Sequence, residues 1–412
     1  MELWKSLIAT HLQLVFHKEL APPKGSVSVL LCFSRSISKK ERVFNMNLIE
    51  LHILQSFPVT CLNRDDLGSP KSAMFGGVER ARVSSQCWKR AIRTVAHEHA
   101  PELFAGIRTK FIGPLLEKAA QRIACSEEQS QAYSNIIVNI LGQDKAAGKV
   151  KTLLFLSPKT MDHVVSNLHE SKQITENMVK AILADDKKTA EKGLAEACKA
   201  AGKILKNLGT AVSDAADIAL FGRMVADDAS QTIEGAAMFS HALSTHAVRS
   251  DLDFFSAVDD EKIDTEDAGG SHIGNIEFNS ACYYRYIGIN LDLLKQSKMF
   301  DQVQLQEVLK NFIHAVVMAN PVARRNSMFG YSVPACILAV KRAGQPLSLA
   351  NAFEEPVKAS KNGYIAPSIA KMLATWDDMK RIFGLKSDSE VTVSKDGKSL
   401  DTMVEKMTDM LN

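Results

Sequence analysis

No stretch of this chain approaches the roughly 18–20 unbroken apolar residues that a membrane-spanning helix needs. Paired cysteines are missing too: the seven cysteines are scattered, and no two lie two to four residues apart. That spacing excludes a zinc ribbon or a redox pair, and an odd, scattered set is typical of reduced thiols inside cells. We therefore expect a cytoplasmic protein that carries no membrane segment.

The motifs of common enzymes are absent as well: there is no GxxxxGK[ST], GxGxxG, HExxH or GxSxG. His241 and His246 are five residues apart, which does not align them on one helix face for a metal. Adjacent acids can hold Mg²⁺, but in loops they are more typical of turns and caps. We expect no catalytic residue, no metal and no cofactor. The adjacent acids are Asp65-Asp66, Asp227-Asp228, Asp259-Asp260 and Asp377-Asp378.

The chain also lacks a large excess of charge of either sign, since its 412 residues carry a formal net charge of only +3. Residues 1–45 hold seven Lys/Arg and three Asp/Glu, so the rest of the chain carries −1. Nucleic-acid binding would therefore have to rest on local clusters. Regular patterning begins after Met46, so we expect residues 1–45 to be an atypical extension and Met46 to be the true start; the intact mass of the native protein tests this.

The first regular pattern is an alternation over residues 47–55, which predicts a half-exposed strand. A loop rich in Asn, Asp, Gly and Pro follows over residues 63–77. The predicted strand has Ile49, Leu51 and Ile53 on one face and Glu50 and His52 on the other.

The later patterns predict a split α+β core with helices packed on one face of an antiparallel sheet. Residues 102–208 are rich in helix formers and predict an inserted helical subdomain. The acidic stretch 251–274 predicts an exposed hairpin. Residues 279–290 and 335–340 predict strands, and residues 303–319 predict an amphipathic helix.

The densest group of cations lies between Leu62 and Arg93, where seven Lys/Arg accompany three acids. Arg80 and Arg82 are two residues apart in an extended segment, so both side chains should point to the same side. A phosphate chain is a natural ligand for such a surface, and a solvated basic face is the alternative. The residues alone leave both interpretations open.

A helix is predicted to begin within this block, capped by Ser84 or Ser85. The free N–H groups of its first turn, near Gln86, would favour an anion. Lys89 and Arg93 lie one turn apart and share a face of this helix. The geometry therefore favours the phosphate-binding interpretation.

Several longer motifs occur in one order along the chain. They are Cys-Leu-Asn-Arg-Asp-Asp at 61–66, Phe-Gly-Gly at 75–77, Arg-Val-Ser-Ser-Gln at 82–86 and Asp-Ile-Ala-Leu at 217–220, with Gly222-Arg223-Met224 after it. These motifs resemble the backbone subunit of the type I-E CRISPR surveillance complex, Cascade (the CasC family). Further segments within 246–260, 284–291 and 347–354 fit the same pattern, so the resemblance covers nearly all of the chain after residue 46.

The resemblance implies an α+β fold with an RRM-like (ferredoxin-like) palm, inserted helical fingers and a β-hairpin thumb. It also implies a non-catalytic subunit that binds guide RNA (crRNA) as a filament and presents it for pairing with a target DNA strand. Its partners would be neighbouring copies of itself, other Cascade subunits and a helicase-nuclease that acts in trans. The implied boundaries are 46–101, 209–244 and 279–412 for the palm, 102–208 for the fingers and 245–278 for the thumb.

The resemblance also implies which residues contact the guide RNA. Met224 would be an apolar wedge beside a displaced base, with Arg223 next to it, and Arg324 and Arg325 would lie in a basic loop near the RNA. Val78-Glu79 departs from the family, which commonly has basic residues there. The implied grip on the RNA backbone consists of Asn63, Arg64, Lys71, Arg80, Arg82, Ser84, Ser85, Gln86, Lys89, Arg90 and Arg93.

Two other functions stay open. One is a related backbone subunit that cuts target RNA with a thumb aspartate, Asp259 or Asp260. The other is a general single-stranded RNA-binding protein that acts without CRISPR partners.

Overall fold

A computed structural model of the chain describes residues 46–144, 148–202, 214–224, 232–257, 272–297 and 299–409. The chain divides into a short unit, Met1–Met46, and a large unit, Asn47–Asn412. The extension expected over residues 1–45 lies outside the described residues.

The large unit mixes strands and helices along the whole chain. The strands are β1 Met46–Thr60, β2 Ser72–Phe75, β3 Val78–Val83, β4 Ile107–Phe111, β5 Lys149–Leu156, β6 Ala237–Phe239, β7 Ala242–Ser244, β8 Asp251–Ala257, β9 His272–Asn290, β10 Cys336–Gly344 and β11 Ser389–Ser394. The helices are α1 Ser85–His99, α2 Gly113–Arg122, α3 Glu127–Ile140, α4 Pro158–Glu170, α5 Glu176–Ile182, α6 Lys187–Ala201, α7 Ala216–Phe221, α8 Leu291–Gln296, α9 Gln302–Met318, α10 Ile365–Phe383 and α11 Leu400–Thr408, with a 3₁₀ turn at Ala350–Phe353.

A nine-stranded sheet forms the centre of this unit, in the order β11-β10-β1-β9-β7-β3-β2, with β6 and β8 also paired to β9. β1 and β9 are antiparallel, and their register sets Leu48 opposite Asn290 and Phe57 opposite Ala281. β8 pairs antiparallel with the first part of β9, which confirms the two strands of the predicted hairpin. The prediction of an α+β protein is confirmed.

Both faces of β1 are buried, so the prediction of a half-exposed strand was wrong. Ile49, Leu51 and Ile53 pack with α1 and α9 in the main core, as their pattern predicted. Glu50 and His52, expected on a solvated face, are fully buried. On that side β1 and β9 pack against α10, so helices cover both faces of the sheet rather than the single face predicted.

Glu50 can be buried because its carboxylate is fully partnered. It forms an ion pair with Arg342 and accepts hydrogen bonds from the Tyr286 hydroxyl at 2.6 Å and from the Leu347 N–H at 2.7 Å. Burial, and to a lesser degree Arg342, lowers the pKa of His52 to about 3, so this histidine is neutral. The covering residues come from about 300 positions later in the chain, and the local alternation contains no information about them.

The inserted segment forms its own hydrophobic core from α2, α3, α4, α5 and α6, as the helical prediction anticipated. That prediction missed the two-stranded antiparallel sheet of β4 and β5, where Ile107 faces Leu156. The loop predicted over 63–77 was wrong at its end, because β2 occupies Ser72–Phe75. The strand predicted at 335–340 is not the last, because β11 pairs with it.

Candidate nucleic-acid interface

The loop from residue 61 to residue 71 is ordered by hydrogen bonds within it. Asp65 Oδ1 accepts hydrogen bonds from the N–H groups of Leu67 and Ser69, both at 2.9 Å, so Asp65 is a turn residue. Arg64 bridges to Pro70 through its backbone, and its side chain is exposed.

Asn63 fixes this loop to the start of α1. Its side-chain oxygen accepts from the Ser84 N–H at 2.9 Å, and its carbonyl accepts from the Lys71 N–H at 2.8 Å. Arg82, on the neighbouring strand β3, donates from Nε to the Ser72 carbonyl at 3.2 Å. Asn63 therefore positions the loop, while Arg64 and Lys71 extend from it.

The prediction that α1 begins with free N–H groups is largely overturned. Ser84 caps the helix, and its hydroxyl accepts from the Cys87 N–H at 3.3 Å. The Ser85 N–H donates to His241 Nδ1 at 3.0 Å, and the Ser84 N–H is bonded to Asn63. Three of the four N–H groups at this end thus already have acceptors in the protein. The exposed Gln86 is the fourth, and its side chain lies beside the Ser85 hydroxyl.

Arg80 is a correction to the predicted site, because its side chain is fully buried. The guanidinium donates to four backbone carbonyls, at distances of 2.9 to 3.2 Å. It therefore joins the β2–β3 hairpin to β7 and to the 3₁₀ turn, and it has no access to a phosphate. Alternation predicts the side of β3 to which Arg80 points, but it does not show that β7 and the 3₁₀ turn cover this side chain. The four carbonyls belong to Phe75, Ser244, Phe353 and Glu354.

Cations from α1 and from the two-stranded β4–β5 sheet meet around one aromatic ring. The Arg93 guanidinium lies 5.3 Å from the centre of the Phe155 ring, and the Arg108 guanidinium lies 4.5 Å from it. Lys89, one turn before Arg93, lies with Nζ 5.1 Å from the centre of the Phe239 ring. Helical spacing predicts Lys89 and Arg93, whereas no motif marks Arg108 or Phe155.

We call five cations the basic strip because each acts electrostatically on another member or on a residue that another member also reaches: Lys71, Lys89, Arg90, Arg93 and Arg108. Burial and the nearby Arg108 lower the pKa of Lys89, and burial, Arg108 and Arg90 lower the pKa of Arg93. Lys71 and Arg90 both act on the Cys87 thiol, whose pKa burial raises, so they flank one position. Mutual proximity of like charges is unfavourable unless an anion relieves it.

Few acids offset the basic strip. Among the described residues, none of its five members takes part in an ion pair of 4 Å or less. The one carboxylate in electrostatic range of Arg93 is that of Asp217, which is fully buried. Burial raises the pKa of Asp217 to about 6, and the nearby charge of Arg93 opposes the shift.

Arg223 and Met224 border the same place, but only one of them reaches solvent. Arg223 is buried, which corrects its predicted contact with RNA, and its Nη1 lies 3.5 Å from the Phe155 carbonyl. Met224 follows it and is 81% exposed. Of the predicted pair, Met224 alone is available to a ligand.

The loop that carries Arg324 and Arg325 joins the site from the other side. Arg324 Nη2 lies 3.5 Å from the Gly68 carbonyl, within the 61–71 loop. Arg325 is exposed. The structure therefore brings this loop beside Arg64.

The remaining candidates for chemistry do not form a site in the described part of the chain. No group of three or more His, Cys, Asp or Glu suited to a metal occurs there. Asp377 and Asp378 form surface ion pairs with Lys380 and Arg381 on α10. The pairs at 227–228 and 259–260 lie outside the described residues. No described helix is both long enough and apolar enough to cross a membrane.

The described part of the chain is thus an α+β protein with an acid-poor basic strip, a surface suited to a polyanion. The CT1975-like protein family (Cas_CT1975) matches residues 49–411, so the chain belongs to that family. No curated protein sequence matches it.

Solved structures give a matching picture of the fold. A chain of a "CRISPR RNA-guided surveillance complex, pre-nicking" superposes with a TM-score of 0.71 at 24% identity, over 88% of this chain and 99% of that one. A chain of a "CRISPR RNA-guided surveillance complex" superposes with a TM-score of 0.62 at 21% identity, with the same coverage. This protein therefore has the fold of those complex subunits over nearly their whole length.

Proposed function

We propose that this chain is a non-catalytic guide-RNA-binding subunit of a CRISPR surveillance complex of type I-E, of the CasC kind. It would hold the sugar–phosphate backbone of the RNA and leave the bases free to pair with a target DNA strand. In this proposal the nine-stranded sheet belongs to an RRM-like palm, the inserted helical segment forms the fingers, and the β8–β9 hairpin is the thumb.

The basic strip is the observation on which the proposal rests. A subunit that must hold any guide sequence needs contacts to phosphate and sugar rather than to base edges. Lys89, Arg93 and Arg108 offer such contacts, since none of the three forms an ion pair within the described residues and each lies over an aromatic ring. The family membership and the shared fold support the same role.

The proposal predicts that Lys89→Ala/Arg93→Ala in the full chain weakens RNA binding whatever the RNA sequence. It should also reduce the slope of log affinity against log salt by roughly one unit per lost phosphate contact, because fewer counterions are released. Fluorescence anisotropy measures both the affinity and the salt slope. Two unrelated single-stranded RNAs are compared between about 50 and 200 mM salt, where the affinity changes strongly with salt concentration.

Lys187→Ala/Lys188→Ala is the matched control, because it removes the same charge from an exposed part of α6. That variant should keep the wild-type salt slope. An unchanged slope in the Lys89/Arg93 variant, or an equal loss in both variants, would contradict the proposed grip.

Purification of the native protein with its nucleic acid separates the proposal from its alternatives. We expect a uniform short RNA with CRISPR repeat ends, together with other complex subunits. Heterogeneous cellular RNA without those partners would indicate a general RNA-binding protein. Incubation of the assembled complex with labelled complementary RNA and Mg²⁺ should give no cleavage, and regularly spaced cuts would indicate the RNA-cutting alternative.

A further inference from the structure

The segment between α9 and β10, residues 319–335, exposes apolar and aromatic side chains beside positive charge. It contains two arginines and no acidic residue. Phe329 is 67% exposed and Tyr331 is 44% exposed, and Val322 and Val333 are exposed as well. The basic strip does not include these residues, so a grip on the RNA backbone leaves their exposure unexplained.

This segment is held firmly although its rings face solvent. The Thr60 hydroxyl donates to the Met328 carbonyl at 3.1 Å, and the Tyr331 hydroxyl donates to the Met318 carbonyl at 3.1 Å. Gly330 lies so close to Thr60 that a Cβ there would meet the Thr60 side chain at 3.0 Å. The two aromatic residues are therefore presented by a fixed backbone.

The two rings share one orientation. Phe329 and Tyr331 are two residues apart, and their rings are nearly parallel, with an interplanar angle of 13° and centroids 6.5 Å apart. Parallel aromatic faces of this kind are the surfaces on which unpaired bases stack in single-stranded nucleic-acid sites.

Two arginines, Arg324 and Arg325, precede the rings closely in the chain. The Arg324 carbonyl accepts from the N–H groups of Ser327 and Met328, at 3.1 and 2.8 Å, so one tight turn separates the arginines from Phe329. Arg324 also reaches the Gly68 carbonyl of the loop that carries Arg64. Within the described ranges, neither Arg324 nor Arg325 belongs to an ion pair.

We propose that Phe329 and Tyr331 form a stacking surface for unpaired bases of the bound RNA, adjacent to the phosphate contacts. The inference rests on the proposed function and adds to it a contact with the bases themselves. Stacking is independent of base identity to a first approximation, so it suits a subunit that holds any guide. An apolar patch for a second copy of the chain is the competing interpretation, and the lack of acids next to two arginines favours nucleic acid.

The test compares the wild type with Phe329→Ala and Leu67→Ala in the full chain, with 2-aminopurine-labelled single-stranded RNA. Phe329→Ala should weaken binding by about tenfold and relieve the quenching of the fluorescent base, because a stacking partner is lost. Its salt slope should equal that of the wild type, since no phosphate contact is removed. Leu67→Ala is the control: it removes an apolar side chain that is 92% exposed and lies outside the proposed stacking surface, so it should bind as the wild type does.

The outcomes are distinguishable from failure of the proposed function. If the wild type shows no salt-dependent RNA binding, the proposed function fails first. If the wild type binds and Phe329→Ala binds equally well with unchanged quenching, the stacking surface is refuted. A variant with wild-type RNA affinity and reduced self-association without RNA, seen by sedimentation, would also refute it and would assign the patch to a second copy.

Discussion

At the scale of single residues, Arg80 separates a structural arginine from a ligand-binding one. It lies two residues before Arg82 in the same strand, yet its guanidinium donates hydrogen bonds to four backbone carbonyls. Burial without a carboxylate also lowers the pKa of Arg80, because desolvation disfavours the charged form. Its charge is held by the fold and is unavailable to RNA.

Arg80→Met should therefore lower the free energy of unfolding by about 3 kcal/mol, because several buried carbonyls lose their donor. Arg82→Met removes a half-exposed side chain with one hydrogen bond to Ser72, and its cost should stay near about 1 kcal/mol. Urea denaturation at fixed pH measures both variants. Equal midpoints for the two variants would show that the four-carbonyl network contributes little.

The same residues show what could be predicted from sequence. A cap is predicted at Ser84 or Ser85 because two serines precede an apolar stripe of helical spacing, and in the structure Ser84 is the cap. The face shared by Lys89 and Arg93 was predicted from the helical period in the same way. The burial of Arg80 could not be predicted in this way. Alternation shows on which side of a strand a side chain lies, but it contains no information about the segment 273 residues later that covers that side.

At the scale of elements, the two-stranded β4–β5 sheet links the inserted segment to the main core. It belongs to the inserted segment, yet Phe155 packs into the main core, and the guanidinium groups of Arg93 and Arg108 lie over its ring. No local signal marks this sheet, because the surrounding sequence is dominated by helix formers and Phe155 lies 62 positions from Arg93. The basic strip therefore depends on the docking of a sheet that the sequence pattern does not predict.

Phe155→Leu tests this dependence without changing any charge. Loss of two cation–π contacts, each worth about 0.5–1 kcal/mol, should weaken RNA binding by up to about tenfold. Phe111→Leu is the matched control: Phe111 lies in the same two-stranded sheet, with Lys149 Nζ 5.5 Å from the centre of its ring, outside the basic strip. Anisotropy with one RNA compares the two, and equal affinities would mean that Phe155 does not position the arginines.

At the scale of the whole molecule, strand β8 offers a second exposed surface besides the basic strip on α1 and its surroundings. The sequence of residues 251–274 contains eight acids and one lysine. On β8, Leu252 and Phe254 are 70% and 64% exposed, and they alternate with Asp251 and Asp253. In the proposed assembly of several copies along one RNA, a strand with acids on one side and apolar residues on the other suits a contact with the basic and apolar surfaces of a neighbouring copy.

Leu252→Ser/Phe254→Ser should therefore impair assembly without impairing the grip. A single copy should still bind a short RNA with wild-type affinity, because the basic strip is intact. On RNA long enough for several copies, the variant should bind without cooperativity, because the apolar contact between neighbours is lost. Mass photometry across RNA lengths should show stepwise particles for the wild type and mainly single copies for the variant.

Ile382→Ser/Phe383→Ser is the control for this comparison, because it removes an equally exposed apolar pair from the end of α10. It should assemble as the wild type does. If the hairpin variant also assembled normally, the hairpin would not join neighbouring copies. If it lost affinity for the short RNA as well, β8 would belong to the RNA grip of its own subunit, and the separation between grip and assembly would not hold.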